Sequence, residues 1–300
     1  MSTDYHTLIK NSDPKVWVVT GCAGFIGSNI VRYLLQNNQK VIGVDNFSTG
    51  KKSNLKFIEK SLKSNSWKNF SFYESSLSSE SECDSILKDV DIILHQAALG
   101  SVPRSIKEPI ASHNSNVNSF LNILNSAKNL GIKKFIYASS SSVYGDNEKL
   151  PKIESIYGDP LSTYALTKRI NEMYADVFYK NYNFDSIGLR YFNVFGPMQN
   201  PYGGYAAVIP RWIKAMIRDE EISIFGDGTT SRDFCYVDNV IEANILAALN
   251  MHNSGSKIYN VALSETTNLN ELFHFIKEVL KLNGIDYLKK PNFKDFKAGD

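Results

Sequence analysis

The sequence predicts a doubly wound parallel α/β sheet with a smaller α/β part appended, on three observations. The stretch 15–45 alternates a buried strand, a glycine turn, an amphipathic helix and a second buried strand. The same strand–helix alternation then continues to about residue 190. Beyond that point the pattern changes to a Gly/Pro/Asn-rich loop and shorter elements, read as a second part over the carboxyl edge of the sheet.

The elements follow in order. Residues 16–20 (VWVVT) form a continuous apolar run of strand length, as a strand buried on both faces requires. Gly21, Gly24 and Gly27 come next, and Ile30, Leu34 and Leu35 place an apolar face on the helix behind them. Residues 41–44 are a second buried strand ending in Asp45. Glycines let the backbone turn tightly and approach a diphosphate, whose charge rests on free N–H groups at the helix start, here Phe25, Ile26 and Gly27. Asp45, 24 residues after Gly21, suits both ribose hydroxyls. No Arg stands beside it for a 2′-phosphate, so NAD is the expected cofactor rather than NADP.

A helix at 54–62 and strands at 70–74, 91–96, 135–139 and 186–191 continue the unit, with helices at 80–88, 114–130 and 162–182 between them. Further on come helices at 206–218, 240–251 and 270–282 and strands at 222–225 and 257–261. The expected division is a dinucleotide-binding domain over 1–190, completed by parts of 233–263, and a substrate-binding part over 191–300.

Composition sets bounds. A hydrophobic fraction of 43% and a charged fraction of 21% describe an ordinary globular chain, and a net charge of +2 with no basic stripe gives no reason to expect nucleic acid. No apolar run reaches the roughly 18 residues of a membrane span, and residues 1–14 lack the apolar core of a signal peptide. A cytoplasmic location is therefore expected. Cys22, Cys83 and Cys235 have no metal spacing and are expected to be free thiols. The Lys-rich run from Lys51 to Lys63 is read as a solvated face, and His95 as a packed core residue.

The most informative short motif is Tyr164-Ala165-Leu166-Thr167-Lys168. Positions i and i+4 share a helix face, so a fixed ammonium can lower a phenol whose ordinary pKa of about 10 makes it useless as a base near neutrality. Upstream, Ser139-Ser140-Ser141-Ser142 ends a buried strand and offers hydroxyls to the crevice. One of them can bridge a substrate hydroxyl and Tyr164.

Taken in order, Gly21-Cys22-Ala23-Gly24-Phe25-Ile26-Gly27, Ser140-Ser141-Ser142-Val143-Tyr144-Gly145, Tyr164–Lys168, Arg190-Tyr191-Phe192-Asn193-Val194-Phe195-Gly196-Pro197 and Gly226-Asp227-Gly228 with Ser231-Arg232-Asp233-Phe234 resemble the extended short-chain dehydrogenase/reductases that act on nucleotide sugars. Within that group, residues 96–105 and 205–210 resemble the UDP-N-acetylglucosamine 4-epimerases. The resemblance implies a Rossmann fold, NAD, a UDP-sugar substrate and a homodimer built on helices 114–130 and 162–182. Ser140 would be the catalytic serine beside Tyr164 and Lys168. Ser101, Ser141, Ser142, Asn193, Ala207 and Val208 would meet sugar or uridine, and Arg232 the diphosphate. Asn46, Ala97, Ser115, Asn116, Tyr191 and Asn193 would surround NAD. Lys297 and Asp300 would stand in a last pocket motif, with Lys where the group usually has Arg.

The 4,6-dehydratases of the group carry Thr-Asp-Glu before Val-Tyr-Gly, and the UDP-glucuronate decarboxylases a Glu; serines here leave reversible hydride transfer. The leading expectation is 4-epimerisation of UDP-GlcNAc and UDP-GalNAc. The rivals are a UDP-glucose or UDP-uronic acid (UDP-GlcNAcA) 4-epimerase and a non-catalytic NAD-binding regulatory protein. Ser75-Ser76 replaces the group's Gly-Asp at the adenine. Relatives continue for several tens of residues past position 300, so the second part is expected to be truncated, leaving Leu272, Phe273, Phe275, Ile276 and Leu280 partly uncovered.

Overall fold

The computed structural model describes residues 5–63, 65–202, 206–253 and 255–295. Its centre is a parallel sheet of seven strands: β1 Val16–Thr20, β2 Lys40–Asp45, β3 Phe70–Glu74, β4 Ile92–His95, β5 Lys134–Ser140, β6 Ser186–Tyr191 and the edge strand Ser256–Val261. The spatial order is Ser256–Val261, β6, β5, β4, β1, β2, β3, with every neighbouring pair parallel. The order reverses between β1 and β4, and a crevice opens there at the carboxyl ends of the strands.

Burial follows from position. β4 and β6 are buried at every residue, whereas the two edge strands β3 and Ser256–Val261 alternate between half-buried and exposed residues over most of their length, because helices cover both faces only at the centre. Alternation along β1 sends Trp17 and Val19 to one apolar layer and Val18 to the other. The first layer is closed by helices Phe25–Gln36 and Val237–Asn250, the second by Ser119–Asn129 and Thr163–Tyr182. Helix Val237–Asn250 and strand Ser256–Val261 thus belong physically to the sheet.

Boundaries differ from expectation in instructive places. The helix expected at 114–130 begins earlier, with Pro109–His113, and passes through a π-helical turn at Asn114–Asn118 before continuing as Ser119–Asn129. That widened turn carries Asn116, whose side chain bonds the backbone of Leu99 in both directions. Two short helices had no period to reveal them. Tyr5–Asn11 buries Ile9 completely, and Val102–Lys107 is capped by Ser101, whose Oγ accepts from Arg104 N at 3.2 Å.

The second part packs helix Val208–Ile217 on helix Leu269–Leu282. Their apolar faces meet through Trp212 and Met216 on one side and Leu272, Phe273, Ile276 and Leu280 on the other. The expected exposure of those last four residues is corrected here: each is buried, because the two helices cover one another, and only Phe275 is left 55% exposed.

Candidate active site

The turn after β1 leaves Gly21 at φ +66°, with an added Cβ only 3.0 Å from the Cα and N of Ala97. At Gly27 a Cβ would stand 2.2 Å from the Gly21 carbonyl oxygen, so the helix can approach the strand this closely only through glycine. Helix Phe25–Gln36 starts at Gly24 with no side chain capping it, which leaves its first N–H groups for an outside acceptor. Gly21, Gly24, Phe25, Ile26, Gly27, Asp45, Asn46, Ala97 and Ser115 all line one cleft of about 280 Å³. An anion-ready helix end, a backbone cradle and a carboxylate at the far wall fit a dinucleotide, and NAD would be held there.

Asp45 has a further task. Its Oδ2 accepts from Ala23 N at 3.0 Å and its Oδ1 from Phe47 N at 2.8 Å, so the carboxylate ties the glycine turn to the end of β2. Ser75 and Ser76 join the cleft wall, and Asn46 Nδ2 donates to Ser76 Oγ at 3.0 Å. Asn116 and Tyr191 are not brought to this wall. Asn116 is fully buried, bonding Leu99 and donating to Thr167 Oγ1 at 3.1 Å. Tyr191 Oη donates to Gln96 Oε1 at 3.0 Å and accepts from Asn244 Nδ2 at 2.8 Å, and burial raises its pKa.

At the end of β5, Ser140 Oγ donates to Ser142 Oγ at 3.1 Å and caps the short turn Ser141–Tyr144. Helix Thr163–Tyr182, capped by Ser162, brings Tyr164 to it. Burial raises the Tyr164 pKa, and a hydrogen bond with Ser140 works in the opposite direction. Lys168, one turn further, is 2% exposed and donates from Nζ to Ala138 O at 2.8 Å. Burial lowers its pKa to about 8, with Glu172 opposing the fall.

Behind this pair lie residues that the Tyr–Lys motif did not single out. Glu172, 2% exposed, accepts from Arg190 Nε at 2.8 Å, from Arg190 Nη2 at 2.9 Å and from Ser139 Oγ at 2.6 Å. The fully buried Arg190 guanidinium also lies 4.8 Å from the Tyr144 ring centre and 4.6 Å from that of Tyr157. Glu172 was in principle legible, since it follows Tyr164 and Lys168 at i+8 and i+4 on one helix face.

His95 is a packed residue. Thr20 Oγ1 accepts from Gln96 N and Ala97 N, so its own proton goes to His95 Nδ1 at 3.0 Å. Burial, and secondarily the charge on Lys168, lowers the His95 pKa to about 3, which keeps the ring neutral. Cys22, Cys83 and Cys235 are buried free thiols.

A second cavity, of about 180 Å³, lies in the second part and is lined by Asn193, Val208, Trp212, Phe234 and Arg232, among others. Arg232 does not pair with Asp233. The Asp233 carboxylate instead accepts the amides of Leu263 and Ser264, while Arg232 Nη1 donates to Ser231 O at 2.8 Å. Asn193 therefore sits with Arg232 rather than in the dinucleotide cleft. Ala207 is the N-cap residue of helix Val208–Ile217, Ser101 is engaged as a helix cap, and Ser141 and Ser142 follow Ser140. Lys297 and Asp300 lie outside the described residues. Lys51, from the expected solvated face, donates to Asn200 Oδ1 at 2.7 Å and so ties the β2 loop to the loop after β6. Among the described residues no group of three or more His, Cys, Asp or Glu could hold a metal, and no helix is long and apolar enough to cross a membrane.

Comparison with known proteins agrees with this geometry. Residues 17–262 match the NAD dependent epimerase/dehydratase family. A putative UDP-glucose 4-epimerase of Methanocaldococcus jannaschii is 37% identical over 91% of this chain and 85% of that protein. The structure of a UDP-N-acetylglucosamine 4-epimerase from Methanobrevibacter ruminantium, in complex with UDP-N-acetylmuramic acid, is 40% identical with a TM-score of 0.86, over 96% of this chain and 88% of that one. A UDP-glucuronic acid 4-epimerase from Bacillus cereus, in complex with UDP-glucuronic acid and NAD, is 31% identical with a TM-score of 0.81, over 94% and 86%. Cleft, Ser–Tyr–Lys constellation and sequence match thus converge, and the chain is an enzyme of the NAD dependent epimerase/dehydratase family, with NAD as its cofactor.

Proposed function

We propose that this isomerase, an NAD-dependent 4-epimerase of UDP-sugars, interconverts the C4 epimers of a UDP-N-acetylhexosamine, UDP-GlcNAc and UDP-GalNAc. The observation that carries the reaction type is the serine run: Ser140, Ser141 and Ser142 stand beside Tyr164 and Lys168, where elimination chemistry would need carboxylates. The N-acetylated sugar is favoured by the likeness to the Methanobrevibacter enzyme, the most similar in sequence of the three relatives compared above.

Tyr164 takes the proton of the sugar 4-hydroxyl while Ser140 holds that hydroxyl in place. A buried phenol resists ionisation, so the Lys168 ammonium one turn away is needed to stabilise the phenolate. NAD, when bound, supplies the hydride acceptor for C4 and the donor that returns the hydride to the other face of the 4-keto sugar. Gly21, Gly24, the helix start at Phe25–Gly27 and Asp45 hold the cofactor, with Asn46, Ala97 and Ser115 around it. Arg232 meets the substrate diphosphate, because a guanidinium matches phosphate oxygens two at a time, and Val208 and Asn193 wall the uridine end.

The enzyme acts as a homodimer in this reading. Leu166, Met173 and Val177 are 46%, 55% and 45% exposed and form a stripe at helical spacing on Thr163–Tyr182. A monomer mass by light scattering at micromolar concentration would remove the dimer.

The test is to incubate the protein separately with UDP-GlcNAc, UDP-glucose and UDP-GlcNAcA and resolve the products by NMR. Fastest conversion of UDP-GlcNAc is expected. Preference for UDP-glucose, the sugar in the name of the Methanocaldococcus relative, would replace the N-acetylated substrate. No conversion of any of the three sugars by NAD-loaded protein would remove all three as substrates.

A further inference from the structure

Behind Tyr164 lie two buried cations, Lys168 and Arg190, and one buried carboxylate, Glu172. Arg190 occupies both oxygens of Glu172 in a two-pronged pair, and Ser139, the residue before Ser140, donates a third strong hydrogen bond at 2.6 Å. Arg169 adds a longer contact of 3.3 Å from the rim. Glu172 is therefore fixed from β5, from β6 and from its own helix, directly beneath Lys168 on the face that also carries Tyr164.

We propose that Glu172 is a positioning residue for the reaction: it keeps the Lys168 ammonium charged inside a dry site and, through Ser139, holds the strand end that presents Ser140. This rests on the reading of Tyr164 and Lys168 as the proton-handling pair.

The charge count supports it. An isolated ammonium in this interior sheds its proton easily, and the groups around it offer little help. His95, from β4, is neutral, and Tyr137, from β5, is a buried phenol held protonated by its burial. Tyr157 and Tyr144 face Arg190 through their rings, and the Glu154 carboxylate is turned to Asn260 N while its carbonyl accepts from Arg190. Arg190 and Arg169 are themselves positive. Among the described residues Glu172 is the one carboxylate whose charge raises the Lys168 pKa, against burial, which brings it down to about 8. Without it Lys168 would give up its proton at a lower pH, and the phenolate would lose its counter-charge earlier in the alkaline range.

The test uses Glu172→Gln, which keeps the shape and one acceptor oxygen but removes the charge. Lys168 is followed directly by NMR of the protein with 13C at lysine Cε, its resonance assigned by disappearance in Lys168→Met. In the parent the resonance is expected to titrate near 8. In Glu172→Gln its midpoint should fall by at least one pH unit, the alkaline limb of kcat should fall with it, and KM for the UDP-sugar should stay within threefold. Because Gln would leave Arg190 buried without its partner, the double variant Glu172→Gln/Arg190→Met is made alongside. It removes both charges of the pair, a replacement that buried ion pairs tolerate. There too the Lys168 midpoint should lie below that of the parent. A Lys168 midpoint unchanged in the folded variants would overturn the proposal, even if turnover falls. The spectroscopic reading does not depend on Tyr164, so loss of the Tyr164 mechanism and loss of this role for Glu172 are told apart.

Discussion

Gly27→Ala should cost this protein its cofactor before it costs its fold. The added Cβ would stand 2.2 Å from Gly21 O, 2.8 Å from Gly21 C and 3.1 Å from Cys22 Cα. All three are backbone atoms, so no side chain can swing away. An ordinary carbon–oxygen approach is about 3.3 Å, so turn and helix start must part by about 1 Å. Strain of that kind costs about 1–3 kcal/mol, spread over a large sheet whose other contacts are untouched. The same displacement stretches the 3.0 Å bond from Gly24 N to Gly21 O and moves the free helix-start amides off the diphosphate. Each hydrogen bond to a charged oxygen is worth about 1.5–3 kcal/mol, so loss of one weakens NAD by about 10- to 100-fold. The assay is calorimetry with NAD on protein stripped of nucleotide, alongside a thermal melt and UDP binding. UDP affinity should be unchanged, since the Arg232 cavity lies on the second part. NAD affinity within threefold of the parent would refute the cradle.

Tyr164→Phe should retain NAD and UDP-sugar binding yet epimerise at least about 100-fold more slowly, the lower end of general-base contributions; turnover within a few-fold of the parent would remove Tyr164 from the mechanism. Asp45→Ala should weaken NAD far more than UDP-sugar and also lower thermal stability, because Ala23 N and Phe47 N lose their acceptor at about 1–3 kcal/mol each when left unpaired. Equal loss of both ligands in calorimetry would mean that the turn-holding role dominates. For Lys168, folding lowers the pKa from 10.5 to about 8, so between those values the unfolded chain binds more protons and this group's contribution to stability rises with pH. Relative to Lys168→Met, whose contribution is flat, the parent should gain up to about 3 kcal/mol between pH 7 and pH 11 in urea unfolding, and a constant difference would place Lys168 in a wetter site than described.

What the residues announced by themselves was whatever depends on local period and short spacing. Strands Val16–Thr20 and Ser186–Tyr191 are readable to the residue, because covered strands of a parallel sheet are largely apolar and turn residues bound them, and the edge strand Phe70–Glu74 is readable from its aromatic residues at alternate positions. The glycine turn, Asp45 and the Tyr164–Lys168 spacing are equally local, and so is the absence of carboxylates from Ser140 to Ser142.

Only the tertiary structure could decide what depends on partners far apart in the chain. Asn116 looks like a cofactor ligand by its motif, yet packing turns it onto Leu99 and Thr167 through a π-helical turn that no periodicity encodes. Arg232 and Asp233 are adjacent and oppositely charged, but the amides of Leu263 and Ser264, thirty residues on, claim the carboxylate. Leu272, Phe273, Ile276 and Leu280 are plainly an apolar face, and which surface covers it is a matter of where helix Val208–Ile217 lands. Glu172 is one polar position on a long helix until β5 and β6 bring Ser139 and Arg190 against it. Periodicity records which side of an element is apolar; the partner that side meets is set by long-range packing, and so is the electrostatic environment of every buried charge.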